Sequence, residues 1–219
     1  MSAARLPQRL MALTTGEARN AHDVEALLQR IGRACEAGLP ALLLREPLLS
    51  ERLFLELAQR ATSLVRTFGE CWVGVHDRVH VALAAGADGI HLGFRSLPVE
   101  VVRELVGDDM AIGFSTHEGD DLAGCRGADY LFFGPVHDTP SKRDLKEPVG
   151  HDGFARAAAR SARPLFALGG LGPADAAPLR AQGAAGVAAI STLLGSPDPG
   201  RATEAFLASW QRSEAGRSA

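Results

Sequence analysis

The chain has 219 residues, 46% of them hydrophobic and 22% charged, with a formal net charge of -3. That length can bury a sizeable core in one large domain or two small ones, and so balanced a charge supplies no field to draw nucleic acid or a membrane surface. No apolar run approaches the ~20 residues of a bilayer span, and the amino-terminal MSAARLPQRL lacks the apolar core of a signal peptide. Cys35, Cys71 and Cys125 are scattered, odd in number and without CxxC spacing, which supports neither a disulfide framework nor a cysteine zinc site. A protein kept in the cytoplasm, with neither nucleic acid nor membrane as partner, is the expectation.

In chain order, eight short apolar runs read as strands: RLMALT, LPALLLRE, CWVGVHD, GIHLG, AIGFSTH, YLFFGPV, PLFALGG and GVAAIST. Between them the apolar spacing turns helical, as at Val24, Leu27, Leu28 and Ile31, then Leu53, Leu55, Leu57 and Ala58, then Val101, Val102 and Leu105. Near-continuous apolar strands suit a parallel sheet covered on both faces, with each crossover helix between consecutive strands. GADGIHLG from Gly86, GADYLFFG from Gly127 and GAAGVAAIS from Gly183 repeat one small-residue introduction to a strand, so the units are modules of a single design. Eight βα units in about 200 residues predict an α/β fold, a single-domain TIM (β/α)8 barrel, with a doubly wound open sheet as the alternative. The domain is expected over residues 1–212, and 213–219, small and polar, as a flexible tail.

Unusual polar residues gather where strands end. Arg45 and Glu46 close the second, His76 and Asp77 the third, Ser115 and His117 the fifth, and Gly169 and Gly170 the seventh. In a barrel these ends share one mouth. GGLGPADA after the seventh strand puts glycines where amides can approach an anion and a helix can begin, and Ser191 follows the eighth strand. A tight turn alone would also account for Gly169 and Gly170. The loop PVHDTPSKRDLKEPVG carries Thr139, Ser141 and Lys142 and reads as a lid over substrate oxygens or as a solvated charged loop. His117 is a candidate acid and base because histidine ordinarily titrates near neutral pH, which suits proton transfer. His76, His91 and His137 are weaker candidates, and His80 and His151 are expected to face solvent.

These motifs resemble those of the thiamine phosphate synthase and TenI superfamily, in order and over almost the full length. LLLREP is similar to that family's LQLREK, and VHDRVHVALAAGADGIHLG to INDRVDLALALGADGVHLG. GFSTH is similar to GVSTH, FGPVHDTPSK to FGPVFPTPTK, and ALGGLGPADA and AAGVAAIST to its GGI and GVAVVS segments. The resemblance implies the barrel and a phosphorylated thiazole ligand held by Gly170, Ile190 and Ser191, with Thr139, Ser141 and Lys142 nearby and Arg45 and Ser115 toward a diphosphate. It also implies departures: the family's Gln falls on Leu43, its Lys on Pro47, its Asn on His76 and its second magnesium-binding Asp on Ser96. Asp77 alone matches a metal ligand, and Ser96 is free to cap the helix beginning near Leu97 and Pro98. The expectation is therefore a TenI-like thiazole tautomerase needing no cofactor, with His117 as general acid and base. The alternatives are a thiamine phosphate synthase using Mg2+, with Arg95 as a stand-in positive charge, and a non-catalytic sensor of thiazole or thiamine phosphate. Pairing of barrels through their outer helices into a homo-oligomer is a further expectation.

Overall fold

A computed structural model of the chain describes residues 4–122, 125, 127–138 and 147–215. Strands β1 (Arg9–Leu13), β2 (Ala41–Leu44), β3 (Trp72–His76), β4 (Gly89–Leu92), β5 (Ala111–Thr116), β6 (Tyr130–Phe133), β7 (Leu165–Leu168) and β8 (Gly186–Ala189) close into a parallel barrel in sequential order. Around it run α1 (Ala21–Glu36), α2 (Glu51–Arg66), α3 (Val79–Ala84), α4 (Val99–Val106), α5 (Gly150–Arg160), α6 (Pro173–Ala181) and α7 (Pro199–Ala215). Each of the eight expected runs is a strand, and pairing of β1 with β8 rules out the open sheet.

Alternate strand residues serve two cores. Met11, Leu13, Ala41, Leu43, Trp72, Ala111, Tyr130, Phe132, Phe166 and Ala188 fill the barrel interior. Their neighbours, among them Leu10, Ala12, Leu42, Leu44, Val73 and Val75, pack outward beneath the helices. Filling so narrow a space requires large beside small: a side chain at Gly113 would land on the Tyr130 ring. At the bottom of the barrel, the Trp72 indole donates to the Arg5 carbonyl at 2.8 Å.

The repeated small-residue signature has a physical meaning. Asp88 Oδ2 accepts from the Val73 amide at 2.7 Å, and Asp129 Oδ2 from the Ile112 amide at 2.8 Å. Each aspartate sits just before its own strand and ties it to the start of the preceding one. The third copy has Ala185 at that position and makes only the backbone bond, to the Leu165 carbonyl at 2.8 Å.

Helix α1 starts at a capping box in which Asn20 accepts from the Asp23 amide and Asp23 from the Asn20 amide. It buries Val24, Leu27, Leu28 and Ile31, as the spacing predicts. Such side chains each contribute about 1.5–3 kcal/mol when fully buried. Helix α4 departs from its pattern. Only Val102 is buried, while Val101 and Leu105 are 42% and 58% exposed. No helix among the described residues is long and apolar enough to cross a membrane.

Candidate active site

The mouth of the barrel is built in two halves that differ in kind. On one side β7 and β8 end in exposed backbone. Gly169 and Gly170 both take positive φ, +104° and +66°. A Cβ on Gly170 would come within 2.7 Å of the Asp138 carbonyl and 2.8 Å of His137 Cβ, so the turn requires glycine for its conformation and for its space. The turn is clamped from the side where the Val136 and His137 amides donate to the Leu168 and Gly169 carbonyls at 2.9 and 3.0 Å.

Gly169, Gly170, Ile190 and Ser191 line one cavity with Leu171 and Thr192. Thr192 Oγ1 donates to the Leu171 carbonyl at 2.6 Å and joins the two loops. No hydrogen bond to the amide of Gly170 or Ser191 is found among the described residues. Helix α6 begins just beyond, at Pro173, with its amino terminus at this end of the barrel. Unpaired amides beside a helix start form an anion cradle whose contacts come from backbone.

The other half, across β2 to β5, is made of side chains. Because strand residues alternate, Arg45, His76, His91 and Ser115 continue the inward rows of β2, β3, β4 and β5. His91 is fully buried, with Nε2 2.9 Å from Ser115 Oγ, Nδ1 3.2 Å from Tyr130 Oη, and its ring centroid 4.1 Å from that of Phe132. Burial pushes its pKa down, and the neighbouring His76 adds to that, so the ring is neutral. Burial likewise raises the Tyr130 hydroxyl and keeps it protonated. A neutral Tyr130–His91–Ser115 column therefore rises through the interior to the mouth. It fixes the Ser115 hydroxyl from below.

At the rim, Asp77 is a non-glycine residue with φ +67° and an exposed carboxylate. Its Oδ1 accepts from Ser96 Oγ, and its Oδ2 lies 3.5 Å from His76 Nδ1. Ser96 Oγ also accepts from the Gly93 amide at 2.7 Å, and α4 starts without a side-chain cap. Ser96 therefore braces Asp77 and closes its own turn, which corrects the expectation that it caps the helix. His76 is held toward its neutral form chiefly by burial, with the Arg45 charge adding to the effect against the pull of Asp77.

Arg45 is exposed, and its backbone amide is fixed by Thr14 Oγ1 at 2.8 Å. Glu46, 1% exposed, accepts from the Gly16 and Ala18 amides, both at 2.9 Å. It shapes the loop between β1 and α1 rather than meeting solvent. The Arg95 guanidinium lies over Phe94, 5.4 Å from the ring centroid.

His117 is held differently from its neighbours. Its amide donates to Asp120 Oδ2 at 2.7 Å as the chain turns after β5, and its Nδ1 lies 3.7 Å from the same atom. It lines a cavity with Phe133 and with Gly153, Arg156, Ala157 and Arg160 of α5, on the helix side of the wall. Gly170 and Ser191 line a different cavity. Thr139, Ser141 and Lys142 lie outside the described residues. His151, expected to face solvent, instead donates from Nε2 to Asp175 Oδ1, 3.0 Å away, while His80 is exposed beside Glu51.

A closed barrel with an anion cradle at its β7 and β8 ends is the frame of an enzyme that handles phosphorylated small molecules. Residues 11–193 match the family model described as thiamine monophosphate synthase, and the chain belongs to that family of enzymes. It is 44% identical over 184 residues to a putative thiamine-phosphate synthase of Geobacter sulfurreducens, covering 83% of this chain and 86% of that protein. It is also 44% identical over 186 residues to the thiamine biosynthesis bifunctional protein ThiM/ThiE of Symbiobacterium thermophilum. That match covers 84% of this chain and spans only 37% of the longer protein. Among solved structures, thiamine phosphate pyrophosphorylase of Pyrococcus furiosus superposes with a TM-score of 0.82 at 27% identity, over 94% of this chain and 96% of that one.

Proposed function

We propose that the chain is a thiamine phosphate synthase, joining hydroxymethylpyrimidine diphosphate to a thiazole phosphate and releasing diphosphate. The observation that carries this reading is the opposition of the two halves of the mouth. An anion cradle at β7 and β8 stands half a circuit of the eight-stranded barrel from the Asp77 and Ser96 pair at β3 and β4. Two phosphorylated substrates need two such places. The relatives named as synthases support the same choice over the tautomerase.

In this reading the amides of Gly170 and Ser191 bind the thiazole phosphate. Arg45 and Ser115 hold diphosphate oxygens, with the neutral His91 keeping the Ser115 hydroxyl aimed upward. Magnesium suits the oxygen donors present, since it needs only one or two carboxylates with substrate phosphates and water completing its shell. Asp77 would hold it with Ser96 alongside, and the bound ion would neutralise charge growing on the departing diphosphate. Arg45 adds fixed positive charge on the same side.

A second reading, the TenI-like tautomerase, is favoured by Leu43, Pro47, His76 and Ser96, which replace the polar and acidic groups of the resemblance. Leu43 in particular is wholly buried in the barrel interior. The two readings separate in one assay series. Purified protein with both substrates and magnesium is expected to form thiamine phosphate at a rate that saturates in each. Failure to do so, with conversion of the non-aromatic thiazole tautomer by the same preparation, would establish the tautomerase instead. In either case the barrel and its surrounding helices act as one catalytic domain, which α7 carries to Ala215 rather than the expected 212.

A further inference from the structure

We propose that His137, His151 and Asp175 form a binding site for a divalent first-row transition cation of the zinc type, separate from the Asp77 side of the mouth. Among the described residues, these three bring one donor atom each to within 4.8 Å of one another. His137 Nε2 lies 2.8 Å and His151 Nε2 3.0 Å from the same oxygen, Asp175 Oδ1. The rings lie 5.3 Å apart between centroids, tilted by 34°, so both nitrogens converge on that oxygen from one side. Tetrahedral ligands at about 2.0–2.1 Å from zinc stand roughly 3.3 Å from one another, so the two nitrogen–oxygen distances need widen by only a few tenths of an ångström to admit a cation.

The donor chemistry selects the ion. Two imidazoles and one carboxylate suit zinc, cobalt or nickel, whereas magnesium and calcium favour all-oxygen sets. The carboxylate is already prepared. Asp175 Oδ2 is engaged by the Gly172 amide at 2.8 Å, which fixes the group and leaves Oδ1 for an ion. Burial opposes ionisation of Asp175, but the Gly172 amide and the two imidazoles outweigh it and hold the carboxyl below its ordinary range. The histidine side chains are 41% and 26% exposed, so an ion can reach them.

Three protein ligands leave a fourth position for water or a substrate oxygen. The ligands also come from three places: the loop after β6, the first turn of α5 and the first turn of α6. His137 donates its amide to Gly169, so an ion here would pin the loop that leads into Thr139–Lys142 against the anion-binding turn. Of the three, His151 lies outside the motifs of the family resemblance, and His137 stands where that pattern has Phe.

The test is metal binding by the full chain. Protein stripped with chelator and dialysed against micromolar Zn2+ with millimolar Mg2+ present is expected to retain one zinc per chain. Co2+ substitution is expected to give the strong visible absorption of a four- or five-coordinate site. His137→Ala and His151→Gln should each weaken binding by at least about 100-fold, the upper end of what loss of a supporting partner costs a metal site. His80→Ala, at an exposed histidine away from the cluster, should leave affinity unchanged. Circular dichroism and refolding of each variant establish that loss of metal is not loss of fold. No stoichiometric zinc in the wild type, or zinc retained by the His137→Ala His151→Gln double variant, would overturn the proposal.

Discussion

The β7–β8 side of the mouth and the β2–β5 side are built by different means. The first presents main-chain amides from turns held in place by glycine geometry and clamped by the loop after β6. The second presents Arg45, His76, Asp77, Ser96 and Ser115, supported by His91 from below. A backbone site tolerates changes of side chain so long as its turn survives. A side-chain site changes its chemistry with each substitution. The resemblance to the family breaks on the second side only, at Leu43, Pro47, His76 and Ser96, and that is where the proposed synthase and the tautomerase reading part.

The largest effect tests the side-chain half. Asp77→Ala removes the carboxylate that Ser96 and His76 flank and is expected to lower kcat for thiamine phosphate formation by about 10²–10³, as loss of a single charge-stabilising group does. Thiazole phosphate binding measured by calorimetry should stay within a factor of about two. Gly170→Val tests the other half with the opposite signature. Its side chain would meet the Asp138 carbonyl and His137 from a backbone at φ +66°, so the turn must move, and misplacement of about 1 Å costs roughly 10²-fold. The expected loss is in thiazole phosphate affinity. If both variants failed in the same kinetic constant, the division of the mouth would be wrong.

Two smaller effects concern what supports the halves. Glu46→Ala takes the partner from the part-buried Gly16 amide and strands the buried Ala18 amide, and at about 1–3 kcal/mol for an unsatisfied buried donor the variant should unfold at lower urea concentration. Below that stands the pH dependence contributed by His91. Its folded pKa is depressed, so below the unfolded value near 6.5 the unfolded chain binds a proton that the folded chain refuses. Stability from this group is complete above about pH 6.5 and is lost as pH falls, by about 1.4 kcal/mol per pH unit until the folded pKa is reached. His91→Gln should flatten that limb of the urea stability curve between pH 6.5 and 5.

The barrel was legible because its signal is repeated eight times, in apolar runs of matching length; the open sheet stayed as an alternative until the pairing of β1 with β8 excluded it. The glycine turn was legible for a related reason, since Gly169 and Gly170 follow a strand and precede a helix. The buried column was harder to see. His91 follows Gly89 by two residues, as Ser115 follows Gly113, and that alternation does carry the inward direction. Its hydrogen bonds to Tyr130 and Ser115 cross from β4 to β6 and β5, and only closure of the barrel makes those contacts. The grouping of His137, His151 and Asp175 was less legible still, because the residues are spaced irregularly and meet from one loop and the first turns of two helices. Exposure of Val101 and Leu105 on α4 was likewise invisible, since spacing reveals an apolar face but not whether a neighbour covers it.

His117 gives the smallest expected effect and the finest test of the two halves. Proximity in sequence to Ser115 and Thr116 makes it look like a member of the mouth. The strand ends at Thr116, however, and the turn fixed by Asp120 carries His117 into the cavity against α5. A residue there is placed to act through the position of the β5 end, since it does not line the cavity of Gly170 and Ser191. His117→Ala is therefore expected to change kcat for synthesis by less than about tenfold, or roughly 1.4 kcal/mol in the barrier, and to leave the shape of the pH profile intact. A loss of about 10² or more, with disappearance of one limb of that profile, is the size and signature of a lost general acid or base. That result would return His117 to the chemistry and restore the tautomerase as the stronger reading.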